Sequence, residues 1–263
     1  MLYGAGDVTS FGSSVAVVGA RKATPYGLHC ADLFAAFLAR REIVVVSGGA
    51  IGCDQAAHRS ALDSGGTTIA VLGSGVDVCY PARATKLLRE IAPSGAVVSE
   101  RPWGHPPVRW AFRERNRIIA GLSTATLIVE AGLPSGTFST AEFALDAGRS
   151  VLAVPGSILA PESRGSNRLI VDGAMPIVDE ETLASAIDLL FVGEEGGKTD
   201  NIALTSSDPL LVALRADPSR PDDLARACSL DIVEVLRTLS RYEFEGVVRH
   251  LPDGRFAITP KRR

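Results

Sequence analysis

Cations and aromatic rings are concentrated in one short segment, "RWAFRERNRIIAGLS", at residues 109–123. Its first nine positions hold four arginines and two aromatic rings, whereas the whole chain has a formal net charge of -3. Only Glu114 interrupts the arginines, unlike the alternating charges of a salt-bridged surface. Arginine forks bind phosphates and aromatic rings stack on bases. The segment therefore predicts a single-stranded nucleic-acid site, in a loop that leads into an apolar helical stretch, formed by Phe112, Arg113, Arg115, Asn116 and Arg117.

Two further cations stand in the turn "GARKATPYG", which follows an apolar run and opens a helical stretch. The G-x-G-x-x-G spacing of a dinucleotide fingerprint is absent, and Arg21 and Lys22 occupy the turn. Two cations beside a helix N-terminus suit a phosphate group. We therefore predict phosphate binding at Gly19, Arg21 and Lys22, and we expect Arg21 and Arg115 to lie in a solvent-facing anion site.

Two other turns combine glycine with hydroxyl side chains at the end of an apolar run. "SGGAIGCDQAAH" offers Ser47, Gly48 and Gly49 as a backbone nest for an anion. "EAGLPSGTFSTAEFA" offers Ser135 and Gly136 just before a helix start, where free N–H groups also attract anions. Both turns extend the predicted binding site.

Six apolar or β-branched runs alternate with helical stretches, at residues 15–21, 43–49, 68–75, 96–100, 126–132 and 151–157. Continuous apolar strands of this kind predict a parallel sheet covered by helices on both faces. Ligands of such sheets lie beyond the carboxyl ends of the strands, where the candidate turns stand. The expected fold class is α/β, an extended Rossmann-like doubly wound parallel sheet with a small C-terminal winged-helix domain.

The composition divides the chain near residue 192. We predict a sheet domain over residues 1–192, a linker rich in glycine, serine and acids over 193–207, and a second domain over 208–263.

The second domain has three short helical stretches followed by "RHLPDGRFAIT", where Pro252-Asp253-Gly254 predicts a hairpin turn. This order is typical of a winged helix-turn-helix. Its third helix mixes acids, such as Glu234 and Glu243, with the arginines Arg237 and Arg241. That helix lacks the basic face of a duplex reader, so we expect a protein-contact module.

Composition limits the remaining classes. The isoelectric point near 5.9 gives no global attraction to nucleic acid, so a polyanion site must be local. The four cysteines occur singly, which predicts neither a metal site nor a disulfide framework and fits a reducing compartment. The N-terminus has no signal-peptide features, and no apolar run approaches the ~20 residues of a membrane span. We expect a soluble cytoplasmic protein with no cofactor and no membrane partner.

The motifs, taken in order, resemble those of the DNA-processing protein A family, also called DprA or Smf. They include "VAVVGARKATPYG", "SGGAIGCDQAAHRSAL", "TIAVLGSGVDVCYP", "SERPWGHPP", "FRERNRIIAGLS" and "GSNRLIVDGA". The resemblance runs from residue 2 to the winged helix. It implies an extended Rossmann fold that binds single-stranded DNA and, in naturally transformable bacteria, loads the recombinase RecA onto it. It also implies a homodimer without enzymatic activity.

The family's functional positions fall on the candidate turns. Its arginine turn falls on Arg21, and its other two motifs fall on Phe112, Arg115, Asn116, Arg117, Ile118 and Ile119, and on Ser47, Gly48, Ala50, Gly52 and Asp54. Three departures weaken the match. Ile51 stands where the family often has lysine, Cys53 stands where it has isoleucine, and the N-terminal helical domain of relatives has no counterpart before "LYGAGD".

Two other classes of function stay open on the sequence. "SGTFSTAE" is similar to a loop of nucleotide phosphoribohydrolases, in which Glu142 would be the catalytic acid, although the double glycine is missing. A Ser47, His58 and Asp54 hydrolase is another enzymatic alternative, although "SGG" is not a nucleophile elbow and a helical Asp–His pair is more typical of capping and packing. The arginine-rich segment is also typical of a protein interface.

Overall fold

The structure, a computed structural model, describes residues 1–7, 12–191, 208–228, 230–244, 247–251 and 253–259. The chain divides into two compact units, Met1–Leu190 and Phe191–Arg263. The predicted linker at 193–207 lies outside the described residues. Within the described ranges, every helix is too short or too polar to cross a membrane.

The first unit is built around an eight-stranded sheet with the order β1-β5-β4-β3-β2-β6-β7-β8. Strands β2 to β8 are parallel, and β1 pairs antiparallel with β5 at one edge. The strands are β1 (Tyr3–Gly6), β2 (Ser14–Val18), β3 (Val44–Ser47), β4 (Thr68–Val71), β5 (Ala96–Ser99), β6 (Ala125–Ile128), β7 (Ser150–Ala153) and β8 (Met175–Pro176).

The six predicted strands are confirmed, although each of them ends before the predicted run does. The glycine-containing tails of the runs form the turns that follow each strand instead. The edge strands β1 and β8 were not predicted, because they are short and partly or fully exposed and so have no continuous apolar run.

Among the described residues of this unit, six α-helices connect successive strands from β2 to β8 and a seventh follows β8. They are α1 (Pro25–Arg40), α2 (Cys53–Asp63), α3 (Thr85–Ile91), α4 (Arg109–Leu122), α5 (Thr137–Asp146), α6 (Arg164–Val171) and α7 (Glu180–Phe191). On one face of the sheet, Ile118 and Ile119 of α4 form a core with Ala16 and Val18 of β2. Helices α1 and α2 pack against each other and against β2 and β3.

The direction of strand addition reverses between β2 and β6. From β2 the sheet grows outward through β3, β4 and β5, and from β6 it grows the other way through β7 and β8. The strand-end turns therefore diverge at this point and leave a crevice, which is the usual ligand position of open α/β sheets. The doubly wound class that the sequence predicted is confirmed.

The second unit contains helices α8 (Pro209–Ala216), α9 (Pro221–Cys228) and α10 (Ile232–Phe244), then the antiparallel hairpin of β9 (Val248–His250) and β10 (Phe256–Ile258). Leu210, Leu239 and Phe256 belong to one buried core. The predicted winged helix is confirmed. Of the predicted turn residues, Pro252 lies outside the described residues.

Candidate nucleic-acid interface

A cavity of about 880 Å³ lies at the carboxyl ends of β2 and β6. It is bounded by the turn after β2, one side of α4, and the loop that leads from β6 into α5. Nine of the predicted site residues line it: Gly19, Arg21, Lys22, Phe112, Arg113, Arg115, Asn116, Ser135 and Gly136. The other four, Ser47, Gly48, Gly49 and Arg117, are not among the lining residues.

The arginine-rich segment is helical from Arg109 onward, so the prediction of a loop there is wrong. Pro106 and Pro107 precede the helix, the extended backbone of Val108 begins it, and arginine, alanine and glutamate all favour its continuation. Helical spacing places Phe112, Arg115 and Asn116 on the side that lines the cavity. The helix therefore sorts the segment's cations onto different sides.

Arg115 is only 4% exposed, so the expectation that it faces solvent is wrong. Its Nη1 donates to the carbonyl oxygen of Gly48 at 2.7 Å and to that of Val71. A side chain at Gly48 would place its Cβ 2.6 Å from Cζ of Arg115, so only glycine fits there. Arg115 thus ties α4 to β3 and β4 rather than reaching into solvent.

Asp54 at the start of α2 is the buried counter-charge of Arg115. Its Oδ2 accepts from the backbone N–H groups of Gly48 at 3.2 Å and Ala50 at 3.3 Å. Burial raises the pKa of Asp54, and the Arg115 charge and these N–H groups offset only part of that rise. Burial lowers the pKa of Arg115 to about 10, which leaves the guanidinium charged at neutral pH. Buried charges are usually retained only where an opposite charge nearby and hydrogen bonds compensate them, as the main-chain groups do for both residues here.

Polar groups of the turn after β3 are consequently already hydrogen-bonded to other groups of the protein. The Gly48 N–H is used by Asp54, and the buried Ser47 hydroxyl donates to the carbonyl oxygen of Val17 at 2.6 Å. The prediction of an open anion nest is therefore wrong for these two residues. Gly49, with a φ of +66°, serves the turn as a glycine in the left-handed region.

His58 completes a buried cluster with Asp54 and Arg115. The Thr68 hydroxyl donates to Val45, so Nδ1 of His58 must donate to Thr68 Oγ1, 2.7 Å away. Burial and the Arg115 charge lower the pKa of His58 to about 3, so the ring is neutral. Ser47, Asp54 and His58 each have partners outside this trio, which gives no catalytic relay.

The exposed rim of the cavity, formed by Arg21 and Lys22, contrasts with this buried cluster. Among the residues that the structure describes, no carboxylate lies within 4.0 Å of either side chain. The Arg21 Cζ lies 5.6 Å from the centroid of the Phe112 ring, a cation–π distance. The Tyr80 ring lies 5.4 Å from the same ring and is 47% exposed. Tyr80 was missed because nothing in "VDVCYP" points to a ligand.

The third wall of the cavity is rich in hydroxyl groups. Asn116 Nδ2 donates to Ser139 Oγ at 2.9 Å, and Ser139 Oγ donates to the Gly136 carbonyl oxygen at 2.7 Å. The Ser135 hydroxyl accepts from the Thr137 N–H at 3.2 Å. Ser135 and Gly136 thus lie at the N-terminus of α5, beside the cavity, as predicted.

Arg113 and Arg117 meet acids that lie outside the arginine-rich segment. Arg117 pairs with Glu100 at the end of β5, away from the cavity. The exposed Arg113 lies 4.0 Å from Glu142 at the cavity. Counting acids within the segment alone missed both partners, because each lies more than fifteen residues away in sequence.

Close contacts fix the turn after β2 relative to its neighbours. Glu130, which is 2% exposed at the end of β6, accepts from the Thr24 N–H at 2.8 Å and from the Thr24 hydroxyl at 2.5 Å. The Thr24 hydroxyl in turn caps α1 by accepting from the Gly27 N–H. Gly19 approaches Cys53 so closely that a Cβ would lie 2.6 Å from its Sγ. These contacts therefore hold the turn that contains Arg21 and Lys22 in place against α2 and the end of β6.

A doubly wound sheet with a cationic rim at its switch point, followed by a winged helix, defines a Rossmann-like protein suited to a phosphate-bearing ligand. The family model of the DNA recombination-mediator protein A matches residues 1–188, and that of the DprA winged helix domain matches residues 205–254. The chain belongs to the DNA recombination-mediator protein A family, which confirms the resemblance found in its motifs.

Curated relatives agree with this assignment. Protein Smf of Escherichia coli is 37% identical over 248 residues, which is 91% of this chain and 66% of that protein. The DNA processing protein DprA of Streptococcus pneumoniae is 44% identical over 160 residues, which is 61% of this chain and 56% of that protein. The chain therefore spans only about half to two thirds of the length of these relatives.

Solved structures show the same fold. DprA from Streptococcus pneumoniae superposes with a TM-score of 0.67 at 39% identity, over 70% of this chain and 65% of that one. DprA from Helicobacter pylori gives a TM-score of 0.66 at 32% identity, and its structure was determined to explain how that protein binds single-stranded DNA. That match covers 71% of this chain and 86% of the other.

Proposed function

We propose that this protein binds single-stranded DNA in the crevice between β2 and β6 and acts as a recombination mediator in DNA processing. The observation that carries the proposal is the exposed rim. Arg21 and Lys22 have no described carboxylate within ion-pair distance, and the Arg21 guanidinium lies over the Phe112 ring, which in turn contacts the Tyr80 ring. Unpaired cations next to ring faces suit a chain of phosphates and bases.

The chemistry favours a single strand over a duplex. Phosphates would lie against Arg21, Lys22 and Arg113, and bases would stack on Phe112 or Tyr80. Base stacking on an aromatic ring is worth ~1–3 kcal/mol per base, but a duplex keeps its bases stacked inside. Contacts to the backbone carry little base information, so sequence preference should be slight.

Binding without catalysis is part of the proposal. Glu142, the candidate acid of a phosphoribohydrolase, is exposed and lies 4.0 Å from Arg113. A catalytic acid of this kind works in a site that excludes water, which an exposed side chain does not provide. We expect no turnover of nucleoside monophosphates.

We further propose that the protein works as a homodimer in the cytoplasm and loads RecA, as its family membership suggests. An apolar surface at the β8 edge of the sheet supports self-association, since Val171, Met175 and Val178 are all exposed there. Exposed apolar patches on a sheet edge favour pairing with another protein surface.

For the winged helix we propose protein contact rather than duplex reading. Val233 and Leu236 on α10 are exposed and three residues apart, so they share one side of the helix. Glu234 lies next to them in sequence, and an acid on this helix would repel a phosphate backbone.

Fluorescence anisotropy with a labelled strand of about twenty bases, and with the matched duplex, tests the DNA proposal at two salt concentrations. We expect strand-selective binding that weakens with salt and is lost in an Arg21→Ala/Phe112→Ala variant. Arg89→Ala, an exposed cation that does not line the cavity, is the control. Equal affinity of the wild type for both probes, or full affinity of the double variant, would contradict the proposed function.

A further inference from the structure

A second depression, of about 550 Å³, adjoins the cavity on the other side of the exposed rim. Arg21 and Lys22 line both spaces, so they form the partition between them. The second depression, called here the α2–α3 groove, continues over α2 to the start of α3, where Arg83 and Lys86 line it. A ligand chain bound to the rim can therefore extend in either direction.

The charge of the α2–α3 groove is entirely of one sign. Five of its lining side chains are cations, Arg21, Lys22, Arg59, Arg83 and Lys86, and none is a carboxylate. A groove with one sign of charge concentrates ligands of the opposite charge. The groove is therefore suited to an anionic chain.

The five cations are not equally free. Arg59 lies 2.5 Å from Glu90 and 3.7 Å from Asp63, so its charge is already balanced. Lys86 reaches Glu90 only at 3.9 Å, and its side chain is 88% exposed. Arg83 is exposed and has no ion pair with any residue that the structure describes. Beyond the rim residues Arg21 and Lys22, Arg83 and Lys86 are thus the cations of the groove that are available to a ligand.

The remaining walls suit the sugars and bases of the same chain. Leu28, Ile51 and Leu87 supply apolar surface, and Gln55 supplies an amide. Tyr80, three residues before Arg83, has its exposed ring against Phe112 of the cavity. Aromatic surface is thus present where the cavity meets the rim, and a base can stack there before the strand reaches the groove.

We infer that the single strand continues from the cavity across the exposed rim into the α2–α3 groove, where Arg83 and Lys86 contact its phosphates. This inference rests on the proposed DNA binding and extends it to a second subsite. A strand too short to cross the rim uses the cavity alone, and a longer strand uses both spaces. Affinity should then depend on length in a way that these two cations control.

The experiment compares oligothymidines of about six and about twenty bases by fluorescence anisotropy across a salt series. We expect Arg83→Ala/Lys86→Ala to weaken binding of the long strand roughly tenfold and leave the short strand unaffected. The slope of log K against log salt should fall by about 1.4 for the long strand, since each phosphate contact on a single strand contributes ~0.7.

The control variant Arg89→Ala/Arg164→Ala removes the same charge from exposed positions outside both spaces. Unchanged long-strand binding in Arg83→Ala/Lys86→Ala would overturn the subsite, and so would an equal loss in the control or an equal loss for the short strand. Wild-type protein that binds neither strand would overturn the proposed function itself, together with the subsite.

Discussion

The buried cluster and the exposed rim use the same residue type for opposite purposes. Arg115 is 4% exposed, lies within the influence of the Asp54 charge and donates to two main-chain carbonyls, whereas Arg21 is exposed and has no described carboxylate within 4.0 Å. The two lie close enough for the charge of Arg21 to act on Arg115. Burial and partners, rather than residue type, therefore decide which arginine maintains the fold and which is available to a ligand.

Arg115→Ala should have the largest effect, because it leaves Asp54 buried without its counter-charge. Leaving a buried charge uncompensated in this way costs about 3–5 kcal/mol. Guanidinium denaturation followed by tryptophan fluorescence measures the loss, since Trp103 and Trp110 both belong to the first unit. Arg89→Ala, at an exposed site, is the control. A denaturation midpoint equal to that of the wild type would contradict the claim that Arg115, unlike Arg21, maintains the fold.

His58 makes the stability of the buried cluster depend on pH. Its pKa is about 3 in the folded state, while an unfolded histidine titrates near 6.5. As the pH falls below about 6.5 the unfolded state takes up a proton that the folded state does not, so the free energy of unfolding decreases by up to about 1.4 kcal/mol per pH unit.

The matching variant is His58→Gln, which cannot titrate. Denaturation between pH 6.5 and 4.5 should show a shallower decline in its free energy of unfolding than in the wild type, by up to about 2–3 kcal/mol over the interval. Parallel declines would mean that His58 is not neutral and buried in the folded state.

Arg21→Ala should do the reverse of Arg115→Ala. We expect the free energy of unfolding to change by less than about 0.5 kcal/mol, because an exposed side chain is removed. Affinity for a single strand should fall about tenfold, or ~1.4 kcal/mol. Anisotropy and denaturation on the same preparation measure both quantities. A destabilised variant with unchanged affinity would mean that Arg21, like Arg115, maintains the fold and does not bind the strand.

Arg117→Ala should have the smallest effect on both measurements. Arg117 pairs with Glu100 at a half-exposed site outside the cavity. Exposed ion pairs contribute about 0.2–1 kcal/mol, and we expect strand affinity to stay within about twofold. A loss of binding comparable to that of Arg21→Ala would show that the strand crosses the other side of α4.

The sequence was most informative where local pattern determines structure. Continuous apolar runs predicted all six central strands. The rule that ligands bind at the carboxyl ends of strands predicted one site for Arg21, Phe112 and Ser135, and all three line the same cavity. Prediction from the sequence failed where a residue's role depends on partners that are distant in the chain. Arg115 is buried because Gly48, 67 positions away, and Val71, 44 positions away, provide its acceptors. Glu130 gave no signal because its partner, Thr24, is 106 positions away.

The double hydrogen bond between Thr24 and Glu130 has a kinetic consequence for ligand capture. It joins the two sides of the switch point, so the crevice is already open and the rim already in place before any ligand arrives. A preorganised site spends little free energy on ordering, and its association needs no preceding conformational step. Stopped-flow traces should therefore show one phase whose rate rises linearly with DNA concentration and falls with salt. Without the Glu130 carboxylate, a slower phase that is independent of concentration should precede capture.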